Sequence, residues 1–148
     1  RPQPKVARGN RGRDRCHQGE KMNPNQLEIV VGNREELEAL DLSGADLKGI
    51  NIEGVVIVNC DFRGANLEDA NLKDCELWEV NFQGAKLDGA DLENVLAINL
   101  YLGSANLRGA NLCGACLRGA DLEGANLDGA NLKMLFYSED KSEGDCPV

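Results

Sequence analysis

Two cysteines three residues apart, Cys113 and Cys116, are the first candidates for chemistry in this sequence. A C-x-x-C pair can bind zinc or take part in thiol–disulfide exchange. No second C-x-x-C pair is present, and the only histidine, His17, lies near the N terminus, so two ligands of a tetrahedral zinc site are missing. We therefore predict no metal site. A disulfide between Cys113 and Cys116 stays open as the alternative to two free thiols.

The carboxylates are the second candidates, with 25 Asp and Glu against 16 Lys and Arg. Neighbours such as Glu68 and Asp69 lie at positions expected on the surface, and no cleft is predicted that would separate their pKa values into an acid and a base. The glycines recur five residues apart and do not cluster into a phosphate-binding loop. We predict neither enzymatic activity nor a cofactor.

The spacing of five is the feature that organises the chain, from Leu40 to Met134. Nineteen positions lie five residues apart from 42 to 132; eighteen of them are Leu, Ile or Phe, and Ala97 is the one small residue. We call these residues centres. The residue two before each centre is never polar and is Ala in eleven repeats. The residue before the centre is Asp or Asn in thirteen repeats, and the residue two after it is Gly in eleven.

A period of five fits neither an α-helix nor a straight strand. On a helix the centres would move around the whole circumference, and on a strand they would alternate between two faces. Both conflicts disappear when the chain turns after every five residues and each centre points toward one axis. A short period over this length predicts a solenoid.

The motif Ala-(Asp/Asn)-Leu-X-X, as in Ala110-Asn-Leu-Cys-Gly and Ala125-Asn-Leu-Asp-Gly, resembles the pentapeptide-repeat family. The resemblance implies an all-β fold, a right-handed quadrilateral parallel β-helix of about five coils with four pentapeptides per coil. It also implies that each centre and the residue two before it point inward. The core positions predicted in this way include Leu47, Phe62, Leu67, Phe82, Leu107, Leu112 and Leu127.

Large apolar residues at outward positions are the exceptions to this pattern. They are Val56, Val58, Trp78, Leu96, Ile98, Tyr101 and Phe136, and all except Tyr101 share two phases of a 20-residue period. Four repeats per coil would stack those six on one face. An exposed apolar column on a soluble rod is typical of a contact surface, and Trp and Tyr are preferred anchors. We therefore predict a protein-binding module or scaffold that uses these seven residues.

Three occupants of this column stay open: another protein of unknown identity, a second copy of the chain, or residues 1–31 of the same chain. The resemblance adds an alternative function, because some bacterial pentapeptide-repeat proteins mimic duplex DNA and bind type II topoisomerases. Residues 40–134 carry fifteen acids against seven bases, a net of −8. That charge disfavours direct binding of nucleic acid.

Four segments are predicted along the chain. Residues 1–26 form a basic tail with seven Lys or Arg against two acids, a net of +5, and its composition indicates disorder. Residues 27–39 form an N-terminal cap, residues 40–137 the β-helix, and residues 138–148 an acidic, flexible tail. The tail at the N terminus is interpreted as a linker, a targeting remnant or a nucleic-acid-binding arm.

Within the cap, Leu27–Val31 is predicted as a strand, and Asn33 as the start of a short helix that ends near Leu40. Cys60 and Cys75 occupy inward positions and are predicted to be buried thiols. Free thiols favour a reducing compartment, so a cytoplasmic location is predicted, with the thylakoid lumen of chloroplasts as the alternative. No apolar run is long enough to span a membrane.

Overall fold

The computed structural model of the protein describes residue 27 and residues 36–139. Six short strands form one parallel sheet in chain order. They are β1 Glu36–Glu38, β2 Val56–Val58, β3 Glu76–Trp78, β4 Leu96–Ile98, β5 Cys116–Arg118 and β6 Phe136–Ser138. Glu36 pairs with Val56 and Val56 with Glu76, so each coil takes 20 residues. The predicted four repeats per coil are confirmed.

The other three sides of each coil are joined by single β-bridges, such as Asp41 to Asp61 and Asp46 to Asn66. The result is the predicted quadrilateral β-solenoid, with about five turns between β1 and β6. One side therefore differs from the rest, because only there, among residues 36–139, do three successive residues pair as a strand.

Asp and Asn precede most centres on the three bridged sides, with Lys86 and Tyr101 as the exceptions. Their Oδ1 atoms accept a hydrogen bond from the backbone N–H two residues later, at 3.0 Å for Asp61 and 2.9 Å for Asn81. Such a bond stabilises a turn directly after the side chain. On the strand side the same position holds residues other than Asp and Asn, such as Val56, Glu76 and Leu96.

The core consists of the inward residues of every repeat, with Phe62 and Phe82 stacked at 4.8 Å between ring centroids. Six of the seven predicted core residues are buried. Leu127 is only partly buried against the cluster. It lies in the last described coil, where no further coil covers it, and a solenoid buries each coil mainly through its neighbours.

The prediction for the cap is wrong in two places. Glu36–Glu38 is a strand and not the end of a helix, because Leu37 continues the five-residue register backwards from Leu42 and pairs with Ile57. Leu27 is fully buried and helical, whereas a strand was predicted there. The remainder of the predicted cap and most of both predicted tails lie outside the described residues. None of the described helical residues belongs to a helix long and apolar enough to cross a membrane.

Candidate interaction face

The outward side chains of the six strands form two columns, which together we call the strand face. One column contains Val56, Glu76, Leu96, Cys116 and Phe136; the other contains Val58, Trp78, Ile98, Arg118 and Ser138. Six of the seven predicted interface residues therefore lie together. Tyr101 does not, because it forms a bridge on the adjacent side with Asn81 and Asp121, where it is 36% exposed.

Trp78 occupies the middle of its column, in register with Val58 on one side and Ile98 on the other. The side chain is only 8% exposed. Val56, Val58, Leu96, Ile98 and Phe136 are all half-buried. The prediction of an exposed column is therefore wrong at its centre, since the indole is covered.

Burial at this position needs a cause, because the outward side of a solenoid strand points away from the core. Polar atoms near the face are buried as well: Trp78 Nε1, Glu36 Oε1 and Asn99 Oδ1 have no hydrogen-bond partner among the described residues. Val58 and Ile98 lie in register on either side of Trp78 and contribute to the burial of the indole.

Cys116, in the other column of the strand face, is buried as well. It is 7% exposed and disulfide-bonded. Cys113 is a free thiol, so the Cys113–Cys116 disulfide that stayed open above is excluded. Cys60 and Cys75 are free too, and so none of the other described cysteines is the partner of Cys116. Because Cys116 is disulfide-bonded, the argument from free thiols to a reducing compartment does not apply to it.

Cys60 and Cys75 are buried in the core, as predicted. The Cys75 thiol donates to the Ile52 carbonyl at 3.0 Å, and the Cys60 thiol donates to the Val58 carbonyl at 3.5 Å. Burial raises the pKa of each thiol to about 11. Both thiols are therefore protonated and unreactive at neutral pH, which fits a structural role.

The three remaining sides are polar and partly neutralised. Lys48 pairs with Glu68 at 3.0 Å and Lys73 with Glu93 at 3.3 Å, each across one coil, while Arg63 pairs with Asp61 at 2.6 Å. The hydrogen bond from Arg63 lowers the pKa of the Asp61 carboxyl. These pairs interrupt the acidic surface, so it does not form one continuous field of negative charge.

The described residues contain no cluster of side chains suited to a metal ion. A shallow groove follows one corner of the solenoid, where Gly103 leaves space between Gln83 and Glu123. Its lining holds carboxylates and a serine without a nitrogen base. The groove adds no support for catalysis.

The sequence analysis placed Trp78 in an exposed column and did not predict that its indole is only 8% exposed. Cys116 stands in the other column at a position where most repeats have Asp or Asn. Arg118 interrupts the column of Trp78.

The family model for pentapeptide repeats matches residues 60–96 and 101–135, with eight copies of the repeat. The fold is similar to Rfr23 from the cyanobacterium Cyanothece 51142, with 25% identity, a TM-score of 0.62, and coverage of 76% of this chain and 92% of that one. It is also similar to HetL from the cyanobacterium Nostoc sp. strain PCC 7120, a pentapeptide repeat protein involved in heterocyst differentiation regulation. Here the identity is 30% and the TM-score 0.50, with coverage of 68% of this chain and 52% of HetL. A pentapeptide repeat protein from the thylakoid lumen of Arabidopsis thaliana is similar with 29% identity and a TM-score of 0.54, and the match covers 67% of this chain and 66% of that one. Among curated protein sequences, none matches.

Proposed function

We propose that this chain, a member of the pentapeptide-repeat family, is a non-enzymatic module that binds another protein through the strand face. The observation that carries the proposal is the stacking of Val58, Trp78 and Ile98 in strict register. Chance substitution would scatter large apolar residues over four sides. Their restriction to one side favours selection for contact there.

The strand face has the composition of an interface. Its centre is aromatic and aliphatic, and charged side chains flank that centre, with Glu76 beside Trp78 on β3 and Arg118 on β5. Interfaces typically combine an apolar centre with a polar rim, and most of the binding energy comes from a few central residues. We expect Trp78 to be the main anchor, with Val58 and Ile98 beside it.

The partner that fits this face is a protein with an apolar ridge bordered by basic side chains. Apolar contact would be made with the half-buried Val58 and Ile98 and with the exposed part of Trp78, and basic residues would meet a solenoid with a net charge of −8 over residues 40–134. HetL, which is involved in the regulation of heterocyst differentiation, is compatible with a regulatory binding role for such a fold. A homodimer through the same face is the competing outcome.

Mimicry of duplex DNA is the second candidate, because the rod is acidic. The ion pairs of Lys48, Arg63 and Lys73 with neighbouring acids weaken this candidate. A mimic would bind its target through the acidic sides, and so changes on the strand face would leave its binding intact.

Site-specific photo-crosslinking tests the proposal. A photoreactive amino acid is placed at Ile98 on the strand face and, as a matched control, at Gln83 on a polar side. The proposal expects a partner crosslinked from position 98 and not from position 83, and expects the purified partner to bind the wild type but not Ile98→Glu. Gln83→Glu should bind normally. Crosslinking from position 83 alone would favour the mimic and contradict the proposal.

A further inference from the structure

We propose that the last coil of the solenoid binds the last coil of a second copy of this chain, so that two rods join end to end. The residues involved are 121–138, which we call the end coil. This surface is different from the strand face, and the inference does not depend on the proposed function.

The end coil exposes apolar side chains that the earlier coils bury. Leu132 is 41% exposed, whereas Leu92 and Leu112, at the same position in the two coils before it, are each 1% exposed. Met134, at the corner that follows Leu132, is 85% exposed. The other leucines of the end coil are only partly buried, namely Leu122, Leu127 and Leu135. The core therefore opens at this end, and an exposed apolar cross-section is typical of a contact surface.

Backbone groups are open at the same end. In the coil before it, the N–H of Gly109 donates to the next coil at 2.9 Å, and the carbonyl of Ala110 accepts from the next coil at 2.9 Å. The equivalent N–H of Gly129 and carbonyl of Ala130 have no backbone partner among residues 36–139. An edge of unpaired donors and acceptors can pair with another chain.

The N-terminal end is not open in this way. Leu42, Leu47 and Ile52 of the first coil are at most 1% exposed, and they belong to one core cluster with Leu27. The described residues therefore do not favour head-to-tail stacking, which would continue into a filament. A contact between two end coils closes after two copies, because it uses the same surface on both.

The shape of the end coil determines how two copies fit. A coil rises by one strand spacing, about 4.8 Å, over its four sides. β6 therefore stands highest and residues 121–125 lowest, with a step between them. A twofold axis through this step places β6 of each copy over residues 121–125 of the other copy, and residues 126–130 over residues 131–135. Among the twofold axes of a four-sided end, only this one leaves all four sides equally far apart.

This match is the reason to choose a second copy as the occupant. An unrelated chain would need an edge with the same rise and the opposite step, whereas symmetry supplies that edge in a copy. The same axis runs between Gly129 and Ala130. It therefore places the open N–H of Gly129 in each copy opposite the open carbonyl of Ala130 in the other.

Charge agrees with the arrangement. Lys133 is the only basic residue of the end coil, and Asp128 lies on the side that would face it in the other copy. Both side chains are exposed. Antiparallel pairing puts Lys133 of one copy diagonally across from Asp128 of the other, a separation that long side chains can bridge. The contact occurs twice, and Asp121 and Glu123 face the uncharged strand β6.

Sedimentation equilibrium of the full chain over a range of concentrations tests the inference. The wild type should form a dimer, and Lys133→Glu or Asp128→Lys should weaken it about tenfold, because each change turns two attractions into repulsions. Combining Asp128→Lys with Lys133→Asp should restore the dimer. Lys86→Glu makes a matched change on an inner coil and should leave the dimer intact. Circular dichroism should show that all variants keep the fold.

Carbodiimide crosslinking of a mixture of ¹⁵N-labelled and unlabelled protein tests the geometry. It should give a peptide that joins Asp128 of one copy to Lys133 of the other, with one labelled and one unlabelled half. A wild type that stays monomeric at every concentration would overturn the inference. So would a dimer that Ile98→Glu dissociates and Lys133→Glu does not, because that dimer would use the strand face.

Discussion

Trp78 in β3 lies directly beside Ile98 in β4 across the parallel ladder, with the indole only 8% exposed on the outward side of the sheet. Cross-strand contact of this kind stabilises a sheet. Trp78 therefore belongs to the packing of the sheet as well as to the strand face.

The assignment of inward and outward positions can be tested by placing a new carboxyl group at either of two neighbouring residues. Leu67 is fully buried, and Leu67→Asp should reduce the free energy of unfolding by more than about 4 kcal/mol, because an unpaired charge has no partner in the core. Asn66→Asp is the control. Its Oδ1 still accepts the hydrogen bond from the Glu68 N–H, and the backbone bridge from position 66 to Lys86 on the next coil is kept. Equal losses in urea unfolding would contradict the register.

The turn role of the Asp and Asn residues gives a smaller effect. Asn81→Ala removes the acceptor for the Gln83 N–H at 2.9 Å and should cost about 1 kcal/mol. Gln83→Ala keeps that N–H and its acceptor, so its melting temperature should stay near that of the wild type. A larger loss for Gln83→Ala than for Asn81→Ala would show that the side chain at position 81 does not stabilise the turn.

Much of this structure follows from the sequence because one rule repeats along the chain. The centres, the inward alanines and the 20-residue coil are readable, since every coil places equivalent residues in equivalent environments. The N-terminal end of the repeat was harder to predict. Leu37 fits the five-residue spacing, but Asn33 and Glu36 also resemble the start of a helix. Local capping signals do not show that Glu36–Glu38 pairs with β2, which is a contact distant in sequence. The repeat rule gives the direction of each side chain but not how far an outward side chain is covered, and so it did not predict the burial of Trp78.

Ala97 tests how tightly the core is packed. It is fully buried between Leu77 and Leu117 in the ladder, and Val95 before it is buried too. We expect Ala97→Leu to lower the free energy of unfolding by about 1–3 kcal/mol through overpacking. Thermal unfolding monitored by circular dichroism measures this. A more stable variant would reveal an unfilled void at this position.

The buried thiols predict a loss of stability at high pH. The folded-state pKa of Cys60 and Cys75 is about 11, above the ordinary value of 9.0, because burial disfavours the thiolate. Their protonated state therefore stabilises the fold fully below pH 9, and this contribution is lost as the pH rises toward 11. Urea unfolding at pH 8 and pH 10.5 should show a drop that is smaller in a Cys60→Ala, Cys75→Ala variant. The same drop in both proteins would contradict the assignment.

The dissociation constant of the protein for its crosslinked partner tests the central claim most directly, with Trp78→Ala compared to the wild type. Loss of a central aromatic anchor commonly costs about 2–4 kcal/mol of binding. The strand-face account therefore predicts an increase in Kd of roughly 30-fold to 1000-fold, with a circular dichroism spectrum like that of the wild type. An unchanged Kd for Trp78→Ala would contradict it.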